Sequence, residues 1–427
     1  MTQATARPSA RALAVHPAGS NGEFDFPAER VVVLARGTGS RVWDATGREL
    51  LDFSMGWGSV LPGHAHPAVV RAVAEQLPSG TNFACVSERS LALAETLQRL
   101  LPWCERLRFC ASGSEATMYC VRLARAHTGR PVVVKFEGAY HGSSDVGVTS
   151  LFPDGSVDLP RPVATSAGVQ EAVEGTVLVA PFNDLDATSR IVERDAARIA
   201  AVLVEPLQRC IPPVPGFLEG LRALTRRVGA LLVFDEVVTG FRLALGGAAE
   251  RYGVAPDLVA YGKALGGGLP IGAFGGSGEV MDHLREDRLG RPDYVWSAST
   301  LGGNPVSAAA ALAALDLYQD PATYAHLDHL GVVLRAQLRS VLHSRRVDAQ
   351  VIGDGPLAQV VFTKEPVVGY RSMLHADRAR SRRTMLGLLD RGVFVNPMGT
   401  KLYLSLAHDD ASCVALAERF DAALFDA

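Results

Sequence analysis

The feature that most constrains this chain is a rhythm in its middle. Short apolar runs at residues 107–111, 131–135, 177–180, 200–204, 230–234 and 258–261 alternate with amphipathic helical stretches. Such alternation implies a mainly parallel sheet with helices covering both faces, because parallel strands need long crossover connections and bury both of their sides. The expected fold is therefore α/β. Upstream the pattern changes to an antiparallel meander, with strands at 31–34, 41–43 and 49–53 separated by turns at 37–39 and 44–47. Pro67 then opens a helix on which Val69, Val70, Ala72, Val73 and Leu77 share a face. Past Asp320 come a helix, short strands near 350–352 and 357–362, a helix near 380–389, a strand at 402–406 and a last helix, a smaller α+β lobe.

These segments divide the chain into an N-terminal arm and small-domain segment at 1–80, a large ligand-binding domain at 81–320 and a C-terminal small domain at 321–427. A chain of 427 residues that is 48% hydrophobic and 20% charged can bury a large interior. Its formal charge of -3 creates no basic field for nucleic acid. The sequence contains neither a signal-peptide run nor an apolar stretch near the ~20 residues that a membrane helix needs, so a soluble cytoplasmic protein is expected. The six cysteines form no C-x-x-C pair, and His64 and His66 lack a third ligand at sensible spacing, so no metal site is expected. A G-x-x-x-x-G-K-[ST] loop and a G-x-S-x-G elbow are both missing, which disfavours magnesium-nucleotide binding and triad hydrolysis.

Three positions at the ends of apolar runs carry candidate chemistry. Ser112-Gly113-Ser114-Glu115 follows a strand and opens a helix, and its free N–H groups suit a phosphate, although an ordinary capped helix start has the same pattern. Asp235 closes the run 230–234, where open α/β sheets place ligands, and a carboxylate there needs a cation such as a pyridinium, an arginine or a metal ion. Lys263 precedes Ala264-Leu265-Gly266-Gly267-Gly268, and apolar neighbours would lower its pKa and populate the neutral nucleophile. Only four of the 42 basic residues are lysines, Lys135, Lys263, Lys364 and Lys401, so lysine chemistry has few candidates. Tyr140 can stack on a heteroaromatic ring, Thr300 can donate to a phosphate and Trp57, between two glycines, can wall a cleft. Phosphate turn, ring stacker, carboxylate and lysine together are what one planar phosphorylated aldehyde requires.

At these residues the sequence resembles class III pyridoxal-phosphate-dependent aminotransferases of fold type I, and among them the glutamate-1-semialdehyde aminomutase branch. The resemblance rests on Gly63-His64-Ala65-His66-Pro67, Ser112 to Ala116, Lys135 to Gly142, Ala180-Pro181-Phe182-Asn183-Asp184, Glu205-Pro206, Phe234 to Arg242, Gly262-Lys263 through Gly276, and Ser405-Leu406-Ala407-His408. It implies pyridoxal 5'-phosphate as cofactor, with Lys263 forming the Schiff base and Asp235 on the ring nitrogen. It further implies Ser112, Gly113 and Ser114 around the phosphate, Tyr140 and Val237 on the two ring faces, Glu205 near the phenolic oxygen, and Thr300 reaching the phosphate of a neighbouring subunit in a homodimer. The chain departs from the aminomutase pattern in three places. The turn Gly19 to Asp25 has acidic residues where an arginine is expected, Gly399-Thr400-Lys401 replaces a Phe-Glu-Ala, and Gln208-Arg209-Cys210 replaces a Gly-Asn element. The sequence thus puts first an aminotransferase working between a small-molecule amine donor and a carbonyl acceptor, with Trp57 and Arg209 as substrate contacts. An aminomutase or a racemase is the alternative, and a non-catalytic cofactor-binding protein the reading from another class.

Overall fold

The computed structural model describes residues 7–22, 25–396, 399 and 401–425. Of the departures above, Glu23, Phe24 and Thr400 lie outside the described residues. The chain forms two compact units, one from Met1–His66, Ala325–Val367 and His375–Ala427, the other from Pro67–Tyr324 and Val368–Leu374.

The second unit is built on a seven-stranded sheet, in the order Arg106–Cys110, Gly272–Gly276, Leu258–Tyr261, Leu231–Asp235, Ile199–Val204, Val132–Phe136 and Val177–Ala180. All six apolar runs become strands here, and they pair in parallel from Val177–Ala180 through to Leu258–Tyr261. The glycine-rich strand Gly272–Gly276 was not expected, and it runs antiparallel to both of its neighbours. Its composition has a steric reason. A Cβ on Gly276 would lie 2.2 Å from the Asp257 carbonyl oxygen, and one on Gly275 would lie 2.2 Å from Cys104 Sγ. Glycine lets these backbones approach where strand-favouring residues would clash.

Helix Gly113–Thr128 covers this sheet with the face that its sequence foretells, Ala116, Tyr119, Cys120 and Leu123, all of them buried. Tyr119 stacks on Phe274 of the glycine strand with centroids 4.8 Å apart. Each side chain the size of Leu123 taken out of water here contributes about 2 kcal/mol. The helix stops at Gly129, whose left-handed φ of 66° lets its N–H reach the Arg125 carbonyl.

The first unit contains two smaller sheets. Leu34–Thr38, Arg41–Asp44 and Glu49–Asp52 form the expected meander, and Val393–Phe394 adds in parallel to its last strand. Residues 31–33 were expected in the first strand but lie outside it. Val31 and Val32 instead pack against the cluster of Phe26, Val42 and Leu50, so their apolar character serves packing rather than a ladder. Gly37, expected in the turn, pairs with Val42 within the strand. Gln350–Ile352, Leu357–Val361 and Lys401–Tyr403 make the second, antiparallel sheet. Leu330, Leu334, Leu338 and Leu342 recur every fourth residue along one helix and pack with Phe53, Leu402 and Phe420. Among the described residues no helix is long and apolar enough to cross a membrane.

Candidate active site

Five of the candidate groups stand at or just beyond the carboxyl ends of strands that run in one direction in the second unit, Arg106–Cys110 among them because the antiparallel Gly272–Gly276 lies between it and Leu258–Tyr261. Asp235 is the last residue of its strand, Glu205 directly follows Ile199–Val204, and Lys263 comes two residues after Leu258–Tyr261. Ser112 follows Arg106–Cys110, and Tyr140 lies in the turn after Val132–Phe136. Parallel strands end on one edge of their sheet, so these residues share that edge.

Lys263 occupies a strained turn. Its φ is +44°, a left-handed value that costs a non-glycine residue on the order of 1 kcal/mol. Surrounding bonds fix it there: Leu265 N–H donates to Gly262 O at 3.0 Å, and the buried Tyr318 hydroxyl donates to Ala264 O at 2.9 Å. Gly262 lies against the start of the helix, since a Cβ on it would be 3.4 Å from the Gly113 nitrogen and Cα and 3.5 Å from Val237. A Cβ on Gly113 would in turn meet both Val237 methyl groups at 2.6 and 2.7 Å. The lysine turn, the helix start and Val237 therefore converge.

The helix start is capped as the sequence suggests. Ser112 Oγ accepts from Glu115 N–H at 3.2 Å, and Glu115 Oε2 accepts from Ala111 N–H at 3.2 Å. Ser114 Oγ accepts from Ser143 N–H at 3.2 Å. Gly142, with φ +86°, comes so close that a Cβ on it would lie 2.5 Å from Ser114 Cα. Thr117, fully buried, donates to the His141 carbonyl at 2.7 Å, so the helix also holds the turn that follows Tyr140.

Asp235 is 5% exposed and keeps two described partners: Oδ1 accepts from Val237 N–H at 3.1 Å, and Oδ2 lies 2.8 Å from His141 Nδ1. His141 is a residue whose role sequence reading missed. Its Nε2 is buried with no hydrogen-bond partner among the described residues, which assigns the Nδ1 proton to Asp235 and leaves the far nitrogen as an unmet polar atom. The signal for it was only a lone histidine beside Tyr140. The neighbouring Glu236 points elsewhere, as strand alternation demands. It accepts from Ala248 N–H, Ala249 N–H and Thr239 Oγ1, and burial lifts its carboxyl to about 7.

One turn holds the other on the Tyr140 side. Glu205 Oε1 accepts from Tyr140 N–H at 2.8 Å and Oε2 from Arg209 N–H at 3.1 Å. Gln208 Nε2 donates to Glu137 O at 2.6 Å, and Arg209 Nε donates to Gly138 O at 3.1 Å. Arg371, also unmarked in the sequence, forms a two-pronged bond with Glu137. Thr300 is exposed, with its carbonyl accepting from Asn82 Nδ2 at 3.1 Å. Trp57 belongs to the first unit, in a tight turn where Met55, Gly56 and Trp57 all have positive φ. His64 Nε2 lies 2.7 Å from Asp52 Oδ2.

The pattern of the family described as "Aminotransferase class-III" matches residues 26–424. The chain belongs to the class III aminotransferase family. A curated relative, the glutamate-1-semialdehyde 2,1-aminomutase of Thermomicrobium roseum, is 40% identical over 399 residues, 92% of this chain and 91% of that one. An ω-transaminase from Sphaerobacter thermophilus has a similar structure, with a TM-score of 0.92 and 37% identity across 98% of this chain and 96% of that one. A solved transaminase with pyridoxal phosphate bound shares 30% identity with a TM-score of 0.89, covering 100% and 98% of the two chains.

The fold is that of fold type I, and the cofactor is pyridoxal 5'-phosphate. The residues present fit that group. A helix start with open amides suits its phosphate, Asp235 suits a protonated ring nitrogen, and the glycines at 113 and 262 keep the space beside Val237 clear of side chains.

Proposed function

We propose that this chain is a pyridoxal-phosphate-dependent aminomutase, which moves an amino group between neighbouring carbons of one carbonyl-bearing substrate. The observation that carries the reading is that curated relatives at 38–42% identity, over most of the chain, bear the name glutamate-1-semialdehyde 2,1-aminomutase. Sequence alone put transfer between a separate donor and acceptor first and the aminomutase second; the relatives favour the second. Bound pyridoxal phosphate supplies a protonated ring that accepts negative charge when a proton leaves the carbon bearing nitrogen. Lys263 would hold the cofactor, and its amine would take up and return a proton as general base and acid. Asp235 keeps the ring nitrogen protonated, and His141 orients Asp235 through the 2.8 Å contact. Ser112, Gly113 and Ser114 would hold the phosphate and Tyr140 and Val237 would flank the ring, while Glu205 fixes the Tyr140 turn by accepting from the Tyr140 N–H.

A homodimer and a cytoplasmic location belong to the same proposal. Thr300 lies between exposed Trp296 and Leu301 in sequence, and its carbonyl accepts from Asn82, the residue before exposed Phe83. Apolar surface gathered there is what a second subunit would cover, placing Thr300 at the partner's phosphate.

Transfer between two molecules remains the second reading. It is favoured by the turn Gly19 to Asp25, which has no arginine to grip the aminomutase substrate, and by the ω-transaminase likeness. The holoenzyme given glutamate-1-semialdehyde alone should form the isomer aminated at carbon 1. Stoichiometric keto product from an amine donor, together with an aminated acceptor and no isomer, would replace the aminomutase by the transferase.

A further inference from the structure

The side chain of Arg209 is anchored at one end and open at the other. Its Nε donates to the Gly138 carbonyl at 3.1 Å, which fixes the plane of the guanidinium. The guanidinium carbon lies 5.8 Å from the Tyr140 ring centroid and 5.9 Å from that of Phe152, so two aromatic rings border the charge. Among the described residues no carboxylate pairs with this guanidinium, because Glu205 spends its Oε2 on the Arg209 main-chain N–H. The two terminal nitrogens have no hydrogen-bond partner among those residues either, and the side chain is half-buried rather than immersed in solvent.

The surrounding frame is firm. Gly138 O, the anchor, belongs to a turn held from outside by the segment Val368–Leu374, in which Arg371 grips Glu137 and the Tyr370 ring covers Gly138. The Tyr370 hydroxyl is itself fixed, donating to Pro153 O at 2.8 Å. Arg209 also has a φ of +62°, in the tight turn where Cys210 and Ile211 N–H both reach Gln208 O. Glycine would satisfy that backbone more cheaply, so the position retains a long cationic side chain at a conformational cost. A guanidinium with Nε tied down loses little further entropy when its two outer N–H groups meet a planar anion, and a carboxylate matches that fork.

We propose that Arg209 is the carboxylate-binding residue of the substrate site, and that the substrate is an amino acid or amino aldehyde carrying a free carboxylate away from the reacting carbon. This rests on the amine chemistry proposed above, for the cofactor beside Tyr140 is what defines the reacting carbon. It also accounts for a site that selects an acid without an arginine in the turn Gly19 to Asp25.

The test separates anion binding from turnover. Glutarate, an unreactive five-carbon diacid, is titrated into the holoenzyme by calorimetry, alongside glutaramide as its uncharged counterpart. Arg209→Ala and Arg209→Gln should each weaken glutarate binding about 10-fold or more, the loss expected for one charge-assisted fork. Arg209→Lys should retain part of the affinity, and glutaramide should be insensitive to all three. The glutamine variant keeps a donor for Gly138 O, so a loss shared by Ala and Gln reports charge rather than a collapsed turn, and unchanged cofactor absorbance checks the fold. Equal glutarate affinity in wild type and Arg209→Gln, or no glutarate binding by wild type, overturns the proposal. Failure to isomerise glutamate-1-semialdehyde while Arg209-dependent glutarate binding persists would count against the aminomutase reading alone.

Discussion

Lys135 lies fully buried in the strand Val132–Phe136, and its Nζ donates to the carbonyls of Gly147 at 2.9 Å and Thr149 at 2.6 Å, with Val146 O at 3.4 Å. Burial pulls this amine down to about 7, yet three main-chain acceptors match the three donors of an ammonium. The geometry makes Lys135 a post for the turn after His141, with no donor left for chemistry. Lys263 contrasts with it, lying in a glycine-lined turn on the ligand edge of the sheet. Asp235→Asn should keep the fold, because the amide oxygen still accepts from Val237 N–H, while kcat falls on the order of 10²–10³-fold as the fixed charge on the ring nitrogen is lost. Steady-state rates beside a melting curve check this, and a wild-type rate in the variant would remove Asp235 from its role. Lys263, Asp235 and the turn at Ser112 stand out in the sequence as candidates because each closes an apolar run. His141, Gln208 and Arg371 were not legible, since their partners Asp235, Glu137 O and Glu137 are 94, 71 and 234 residues away in sequence.

Among the elements, the parallel strands were readable because both-sided burial demands unbroken apolar runs. The glycine strand Gly272–Gly276 was not, because its letters record close backbone approach, which sequence periodicity does not encode. The segment 31–33 failed the other way, with three valines that imitate a strand while Val31 and Val32 pack against a core. The helix start at Gly113 and the Gly142 turn form one joint, since a Cβ on Gly142 would strike Ser114 Cα at 2.5 Å. Gly142→Ala should therefore weaken retention of pyridoxal phosphate about 10-fold or more by displacing the phosphate turn. Gly129→Ala supplies the control, since Gly129 has φ +66° but open space around its Cβ position, so it bears the backbone penalty without the displacement. Cofactor titration by fluorescence decides: equal affinity in the two variants would mean that the phosphate does not sit at this joint.

For the whole molecule, acid sensitivity has an identifiable contributor in the first unit. His408 is 2% exposed; its Nδ1 accepts from Ser405 N–H at 3.1 Å and its Nε2 donates to Asp52 O at 3.1 Å, a neutral ring fully engaged. Burial pushes its pKa from 6.5 down to about 4, against the opposing pull of Asp52. A base with a depressed folded pKa stabilises the fold above its unfolded value and loses that contribution as pH falls from about 6.5 to about 4, on the order of 3 kcal/mol in all. Melting midpoints at pH 7 and 4.5 should separate further in wild type than in His408→Asn, and an equal separation would rule His408 out as a contributor. All of the proposed amine chemistry depends on pyridoxal phosphate being held through Lys263. The most direct test of that linkage is borohydride reduction of the holoenzyme followed by peptide mapping, since reduction fixes lysine-bound pyridoxal permanently and only four lysines compete. One pyridoxyl group per chain is expected, on the peptide containing Lys263, and none in Lys263→Ala; a label on Lys135, Lys364 or Lys401 instead, or an unlabelled Lys263, would rule out that linkage.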